Sequence, residues 1–195
     1  MVYDWLKNRD YDPSKAMLIA LATTGFKIGR DSIVAVSVRC QGVTDLLVCD
    51  TPLTGEQRNI TKLRDVDIDN AISWGAIQAR LEGIAAGASF MVSYSYERFT
   101  GRWLHDAFPH TLGEKECLDI QLISTWLDVF GTLPEDLTGI ATLHSRMAAS
   151  QAAKSPPVDT LAYEKTGFVS DDTKPVVLNR LNQLDALWCQ LLNRI

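Results

Sequence analysis

Residues 18–26 read Leu-Ile-Ala-Leu-Ala-Thr-Thr-Gly-Phe, an apolar run that passes directly into a Thr-Thr-Gly turn. The run has the length and composition of a buried β-strand, and the glycine favours a sharp turn after it. Because successive side chains of a strand point to opposite faces, Ala20 and Ala22 project side by side. We interpret this stretch as a strand end that faces a site. Two carboxylates at these positions would bind a metal ion, whereas two methyl groups cannot.

The composition predicts one soluble domain that spans residues 1–195, since 46% of the residues are hydrophobic. Nineteen basic and 24 acidic residues give a formal net charge of −5, so contact with nucleic acid requires a local basic patch. The four cysteines form no CxxC pair, which argues against a zinc site or a disulfide framework. No apolar run is long enough to span a membrane, and the first residues lack a signal-peptide core. We therefore expect a cytoplasmic protein that does not contact membranes.

The order of elements predicts a mixed sheet. After a polar N-terminal arm, residues 1–15, three apolar stretches with short links indicate an antiparallel meander; they are residues 17–22, 32–40 and 44–50. Apolar residues then recur at helical spacing from Trp74 to Ala88. A strand, a helix and a short strand follow, at residues 89–95, 97–108 and 116–120. This alternation implies that part of the sheet is parallel.

The C-terminal third is predicted to be mainly helical. Thr132 and Glu135 have the spacing of a capping box, which predicts that a helix starts there. Residues 154–174 have the polar, proline-containing composition of a long surface loop. The last helix is predicted to begin near Pro175, and its apolar stripe comprises Val177, Leu181, Leu184, Trp188, Leu191 and Ile195.

This order resembles the ribonuclease H-like fold, an α/β three-layer fold with a mixed sheet of a meander plus parallel strands, flanked by helices. Within it, the sequence is similar to the DnaQ-like, or DEDD, 3′–5′ exonucleases. In that family Thr-Thr-Gly follows a strand that carries an Asp and a Glu; here Thr23, Thr24 and Gly25 follow Ala20 and Ala22.

Three further segments carry the resemblance. Tyr94 and Ser95 stand where the family has His-Asn after a strand, and the segment YERFTGRWL places Thr100 at the second-site Asp. In the last helix, Arg180 aligns with the family histidine, and Asp185 is retained. Family members use four carboxylates to hold two divalent cations, with a His or Tyr as base.

The resemblance therefore implies a degenerate catalytic site at Ala20, Ala22, Thr100, Arg180 and Asp185. Asp185 is at best a vestigial metal ligand, and we hypothesise that Arg180 neutralises it in place of a metal. We expect no cofactor, and Mg²⁺ or Mn²⁺ only if the acids were restored. The chain has an exonuclease (hydrolase) fold that is predicted to be inactive.

A binding role would remain, either for single-stranded nucleic-acid ends or for a protein partner. The candidate nucleic-acid-binding residues are Thr23, Thr24, Gly25, Tyr94, Ser95 and Arg98. The alternative is an active metal-dependent 3′–5′ exonuclease represented by an inactivated variant, with alanine in place of Asp and Glu. In that case Glu97, rather than Thr100, stands at the second acid position.

Overall fold

The structure, a computed structural model, describes residues 2–149 and 157–193. The strands are β1 (Ala16–Thr23), β2 (Ile33–Cys40), β3 (Val43–Val48), β4 (Phe90–Ser93) and β5 (Cys117–Asp119). The helices are α1 (Val2–Lys7), α2 (Gly55–Thr61), α3 (Asp65–Asp69), α4 (Trp74–Ala86), α5 (Gly101–Ala107), α6 (Ile120–Phe130), α7 (Ile140–Ala149), α8 (Val158–Thr166) and α9 (Val176–Asn193).

The described strands form one five-stranded sheet in the order β3-β2-β1-β4-β5. The first three strands are antiparallel, and β4 and β5 run parallel to β1, which confirms the predicted mixed sheet. Gln41 and Gly42 form the two-residue turn between β2 and β3 with φ of 50° and 79°. Positive φ at both positions matches the right-handed twist of the hairpin strands. A meander of this kind places β1 at the centre of the sheet, next to β4.

Helices cover both faces of the sheet, so the predicted three-layer arrangement is also confirmed. Leu18, Ala20 and Ala22 pack on the face covered by α9 together with α1, α6, α7 and α8. Ile19 and Leu21 point to the opposite face, where α4 and α5 pack. This alternation puts positions 20 and 22 side by side under α9, as the strand period requires.

The N-terminal segment is not the polar arm that the sequence predicts. It forms α1, whose Val2, Trp5 and Leu6 are buried in the core under α9. Tyr11 packs its ring edge on to Phe90, with ring centroids 5.5 Å apart. Three apolar residues at helical spacing bury enough surface to dock so short a helix, although the charged residues between them hide the pattern.

Helix α7 begins at Ile140 rather than at the capping-box spacing of Thr132 and Glu135, so that prediction is wrong. Contacts with the N-terminal segment explain this later start of the helix. Trp5 Nε1 donates a 2.8 Å hydrogen bond to the carbonyl of Pro134, and Arg9 donates to the carbonyls of Glu135 and Leu137. These bonds hold residues 132–139 as an irregular, bent connection against α1.

The predicted loop at 154–174 contains helix α8, so the loop prediction is wrong for Val158–Thr166; residues 154–156 lie outside the described part of the chain. Leu161 and Ala162 of α8 are buried against α9. Gly167 ends the helix in the left-handed conformation, with φ of 71°. Burial of this apolar pair outweighs the polar composition of the flanking residues.

Helix α9 begins at Val176, as predicted, and its apolar stripe is buried as far as Leu191. Ile195, the predicted end of the stripe, lies outside the described residues. In the described part of the chain, no helix has the length and apolar character that crossing a membrane requires.

Candidate functional site

A cavity of about 430 Å³ lies where β1 and β4 end, beneath α8 and α9. We call it the Ala20 cavity. Its walls include Ala20 from β1, Ser93 and Tyr94 from the end of β4, and Arg180 from α9. The sheet therefore brings the predicted strand end and the predicted second segment together at one site.

A strained backbone conformation shapes one wall of the Ala20 cavity. Ser95 has φ of 55° and ψ of 44°, a left-handed conformation that is uncommon for a residue with a side chain. The buried carboxylate of Asp119 holds it by accepting a 3.1 Å hydrogen bond from Ser95 N. A turn of π-helix, Tyr96–Thr100, follows directly. Thr100 ends this π-helical turn and forms part of the cavity wall. Backbone strain of this kind is common at functional sites.

The hydroxyl groups of this wall are poor candidates for catalysis. Burial is the main cause that raises the pKa of the Tyr94 phenol well above its ordinary value; the charge of Asp119 adds to this, while a hydrogen bond to Gln121 opposes it. Thr100 is buried, and its hydroxyl donates to the carbonyl of Tyr94 at 3.4 Å. Neither group accepts a proton near neutral pH.

Arg180 brings a positive charge to the Ala20 cavity. Its guanidinium lies 3.5 Å from the carbonyl oxygen of Leu21, next to Ala20. The residue keeps contact with solvent, and partial desolvation lowers its pKa while the charge of Asp159 opposes that shift. Arginine stays protonated under such conditions. The cavity thus has a cation at the end of β1, on a residue that is exposed to solvent.

Asp185 lies elsewhere. It forms an ion pair with Arg39 of β2, whose guanidinium also donates a 3.1 Å hydrogen bond to Asn182. The predicted neutralisation of Asp185 by Arg180 is therefore wrong. Five residues along a helix turn about 140° around its axis, so the two side chains leave α9 in different directions.

The remaining predicted residues divide into two groups. Arg98 joins Tyr94, Ser95 and Thr100 in lining the Ala20 cavity. Thr23, Thr24 and Gly25 instead stabilise the turn after β1, where they are not part of the cavity lining.

The turn itself explains why Thr-Thr-Gly stands there. Thr23 donates its hydroxyl hydrogen to the carbonyl of Gly25, and Thr24 N bonds the carbonyl of Ser32 at 2.9 Å. A side chain at position 25 would come within 2.5 Å of the Asp31 carboxylate. Glycine permits this close approach, and a larger residue would require the Asp31 side chain to shift.

Two residues of the site were not predicted. Phe26 is 83% exposed at the rim of the cavity, and its ring centroid lies 6.1 Å from that of Phe99. Asp159, in the first turn of α8, lines the cavity and accepts a 2.7 Å hydrogen bond from Gln183. In the sequence, Pro157 followed by Val-Asp indicates the start of a helix, but the surrounding prolines and serines are typical of a loop.

The donor set does not fit a pair of divalent cations. Asp159 is the acidic residue among the described lining residues, and a guanidinium shares the cavity with it. Across residues 2–149 and 157–193, His, Cys, Asp and Glu form no group of three that could hold a metal ion. The side chain of Glu97 lies outside this description.

His144 is a core residue, as the apolar helical face around it predicts. Its Nε2 accepts a hydrogen bond from Asp119 N at 3.1 Å. His105 and His110 are exposed and do not line the Ala20 cavity, so the structure brings no histidine of the described chain to this site.

Sheet order, strand directions and the flanking helices define an α/β fold of the ribonuclease H-like class, the fold of its exonuclease neighbours. No family model and no curated protein matches the sequence.

Among solved structures, the chain is similar to exonuclease I. E. coli exonuclease I in complex with a dT13 oligonucleotide matches with a TM-score of 0.63 and 13% identity over 92% of this chain and 41% of that one. Another exonuclease I structure gives 0.61 and 12%, over 88% and 39%. An ExoI/SSB-Ct complex gives 0.58 and 13%, over 90% and 41%. The chain spans less than half of these proteins, and at such identity the likeness establishes the fold alone.

Proposed function

We propose that this domain is an exonuclease-like fold without metal-dependent hydrolysis, and that its Ala20 cavity binds the phosphate-bearing end of a single-stranded nucleic acid. The observation that carries the proposal is the position of Arg180. A guanidinium beside Ala20 supplies positive charge at the strand end where the related fold would need carboxylates and metal ions.

The absence of hydrolysis follows from the chemistry of the described lining residues. Two-metal hydrolysis needs several oxygen ligands and a base, and this cavity offers Asp159 beside a cation. The buried phenol of Tyr94 keeps its proton because its pKa is raised. The natural or engineered origin of Ala20 and Ala22 does not alter this chemistry.

Binding of a nucleic-acid end is supported by two kinds of contact. A guanidinium donates paired hydrogen bonds to phosphate oxygens, and both Arg180 and Arg98 reach this cavity. The exposed ring of Phe26, in edge contact with Phe99, offers an apolar surface on which a base can stack. Exonuclease I has been solved with a dT13 oligonucleotide, and we extend that kind of ligand to this chain.

The charge balance limits the expected affinity. Asp159 offsets part of the field of Arg180, and the chain carries a net charge of −5. Association should therefore depend on one or two phosphates and weaken gradually with salt.

The test is fluorescence anisotropy of a 5′-labelled single strand, in DNA and RNA forms, at two salt concentrations. Arg180→Gln should weaken binding about tenfold, the effect of losing one charge-assisted contact. Arg58→Gln, which removes an exposed charge on α2, is the matched control and should change little.

Two outcomes would contradict the proposal. Digestion of the strand in Mg²⁺ or Mn²⁺ by the unmodified chain would exclude a non-hydrolytic role. Failure of every strand to bind at low salt would exclude the nucleic-acid ligand and favour a protein partner for the domain.

A further inference from the structure

Asp159 gives the Ala20 cavity an acceptor beside its cations. It stands in the first turn of α8 and lines the cavity together with Arg180. Desolvation lowers the pKa of Arg180, and the charge of Asp159 opposes that shift, so the two side chains lie near each other. No ion pair or hydrogen bond joins them in the described part of the chain. Both groups therefore have hydrogen-bonding capacity left for a ligand.

A buried glutamine of α9 holds the Asp159 carboxylate in place. Gln183 is 1% exposed, and its Nε2 donates 2.7 Å hydrogen bonds to Asp159 Oδ1 and to Ser170 Oγ. A rotated amide would turn Gln183 Oε1 toward the negative charge of Asp159, so the carboxylate fixes this orientation. The other oxygen of Asp159, Oδ2, accepts no hydrogen bond from a described residue.

This orientation leaves one atom of Gln183 unsatisfied. Its Oε1 is the one buried side-chain polar atom without a hydrogen-bond partner in residues 2–149 and 157–193. An unpaired buried carbonyl oxygen lowers stability, and a native fold that keeps such an atom calls for a functional explanation. A methionine would fill a similar volume without that penalty. The orientation of Asp159 is what the glutamine provides and methionine would not.

The two charged groups together define the chemistry of the ligand. A carboxylate accepts hydrogen bonds and does not donate them, so the group that meets Asp159 must be a donor. The guanidinium of Arg180 donates to an anion. The 3′-terminal nucleotide of an RNA strand carries both partners, since its linking phosphate is an anion and its ribose has neighbouring 2′- and 3′-hydroxyl groups. One carboxylate accepts from both hydroxyls, whereas deoxyribose lacks the 2′-hydroxyl.

We propose that Asp159, positioned by Gln183, selects a terminal ribose, so that the Ala20 cavity binds the 3′ end of RNA in preference to that of DNA. The inference rests on the proposed function and names its substrate class. Asp159 repels the phosphate of either strand, and only a ribose end compensates for this repulsion in full. The residue therefore supplies selectivity rather than affinity for strands in general.

The experiment is fluorescence anisotropy with 5′-labelled single strands of one sequence. The probes are RNA, DNA, DNA that ends in a single 3′-ribonucleotide, and the same strand with a 2′-O-methyl group on that ribonucleotide. The ribonucleotide-ended strand should bind about fivefold more tightly than DNA, the scale of one partly exposed hydrogen bond to a charged group. RNA should show the same preference, and the 2′-O-methyl strand should bind like DNA because it lacks the donor.

Asp159→Ala tests the carboxylate. It should bind DNA about twofold more tightly, because a charge that repels phosphate is gone. It should bind the ribonucleotide-ended strand no more tightly than DNA. Glu164→Ala is the matched control, an equal charge change at an exposed residue of α8 that does not line the cavity, and it should keep the preference. Since Asp159 is exposed, its replacement is not expected to disturb folding.

Gln183→Met tests the positioning role separately from stability. The preference for the ribonucleotide-ended strand should fall to about twofold, because Asp159 loses the donor that orients it. The urea midpoint of unfolding should not fall, since the substitution also removes the unpaired Oε1. A lower midpoint with the preference intact would show that Gln183 serves the core and not Asp159.

The outcomes separate this inference from the proposed function. Equal binding of DNA and the ribonucleotide-ended strand, a preference that survives 2′-O-methylation, or equal effects of Asp159→Ala and Glu164→Ala would each overturn the inference. Weaker binding of both strands by Arg180→Gln would still support the proposed function in those cases. Failure of every strand to bind at low salt would overturn the proposed function and this inference with it.

Discussion

The Ala20 cavity and a second cavity, of about 490 Å³, lie at the same end of the sheet, on opposite faces, and differ in charge and lining. The second cavity is bounded by the turn between β1 and β2, by α4 and by α5. The first combines small and apolar residues with the guanidinium of Arg180, whereas the second combines two indole rings with two carboxylates. The net charge of −5 predicts neither the cation nor its location. The charged side chains near each strand end come from the elements packed on that face, and overall composition does not predict them.

The largest test of this comparison is to give the Ala20 cavity the acids of the related exonucleases, by Ala20→Asp with Ala22→Glu. Both alanines are buried under α9, and Ala20 but not Ala22 lines the Ala20 cavity. The carboxylates would enter the core, where Arg180 and Arg98 are the cations among the described lining residues. We expect the free energy of unfolding to fall by about 3 kcal/mol or more, measured by urea denaturation.

The same variant tests the catalytic alternative. With Mn²⁺ it should neither recover stability nor digest a labelled strand, because Thr100 still stands at an acid position and position 180 holds a cation where the family has its base. The control is Ala20→Ser with Ala22→Ser, which adds polar atoms without charge. Metal-dependent stabilisation together with digestion would show that the chain is an inactivated enzyme after all.

A second, smaller effect concerns Asp185, the one acid that the resemblance to the exonuclease family predicts to be retained. Its partner Arg39 and Asp185 itself are 26% and 32% exposed, so Asp185→Asn should lower the free energy of unfolding by about 1 kcal/mol. Affinity for a single strand should not change, since Asp185 does not line the Ala20 cavity.

The Arg39→Gln variant and the double variant complete a mutant cycle that isolates the pairwise term. A coupling energy near zero would contradict the structural role of the ion pair. A loss of strand binding in Asp185→Asn alone would instead return this residue to the functional site.

The smallest expected effect is on the strained wall of the Ala20 cavity. Ser95→Gly relieves a left-handed conformation but adds freedom to the unfolded chain, so we expect a net stabilisation of about 0.5 kcal/mol. Ser93→Gly, in the strand just before it, is the control and should destabilise the fold. If Ser95→Gly also lowers the free energy of unfolding, the left-handed conformation of Ser95 does not cost the fold stability.

Much of the fold was predictable because its signals are local. The β-branched runs gave the meander, and the helical spacing from Trp74 and from Val177 gave α4 and α9. Helices α8 and α1 were missed, since each depends on a few apolar residues that are buried by contact with distant parts of the chain.

The candidate site was predicted only in part, because some of its contacts also depend on how the helices pack on the sheet. Ala20 lies near the end of β1, Tyr94 directly follows β4, and Thr100 ends the π-helical turn after it; all three line the Ala20 cavity. The directions of Arg180 and Asp185 depend on the rotation of α9 against the sheet. A pattern of buried leucines fixes the buried side of a helix but not the partner of each polar residue on its flanks.

The ring contacts near the π-helical turn have one more consequence. Phe26 contacts Phe99 at 6.1 Å, and Phe99 contacts Trp103 at 6.3 Å between ring centroids, so one row of aromatic rings joins the walls of both cavities. If a ligand in one cavity tilts this row, it changes the shape that the other cavity offers. Thermodynamic linkage then requires that ligands bound in the two cavities alter each other's affinity by the same factor, in either order of addition.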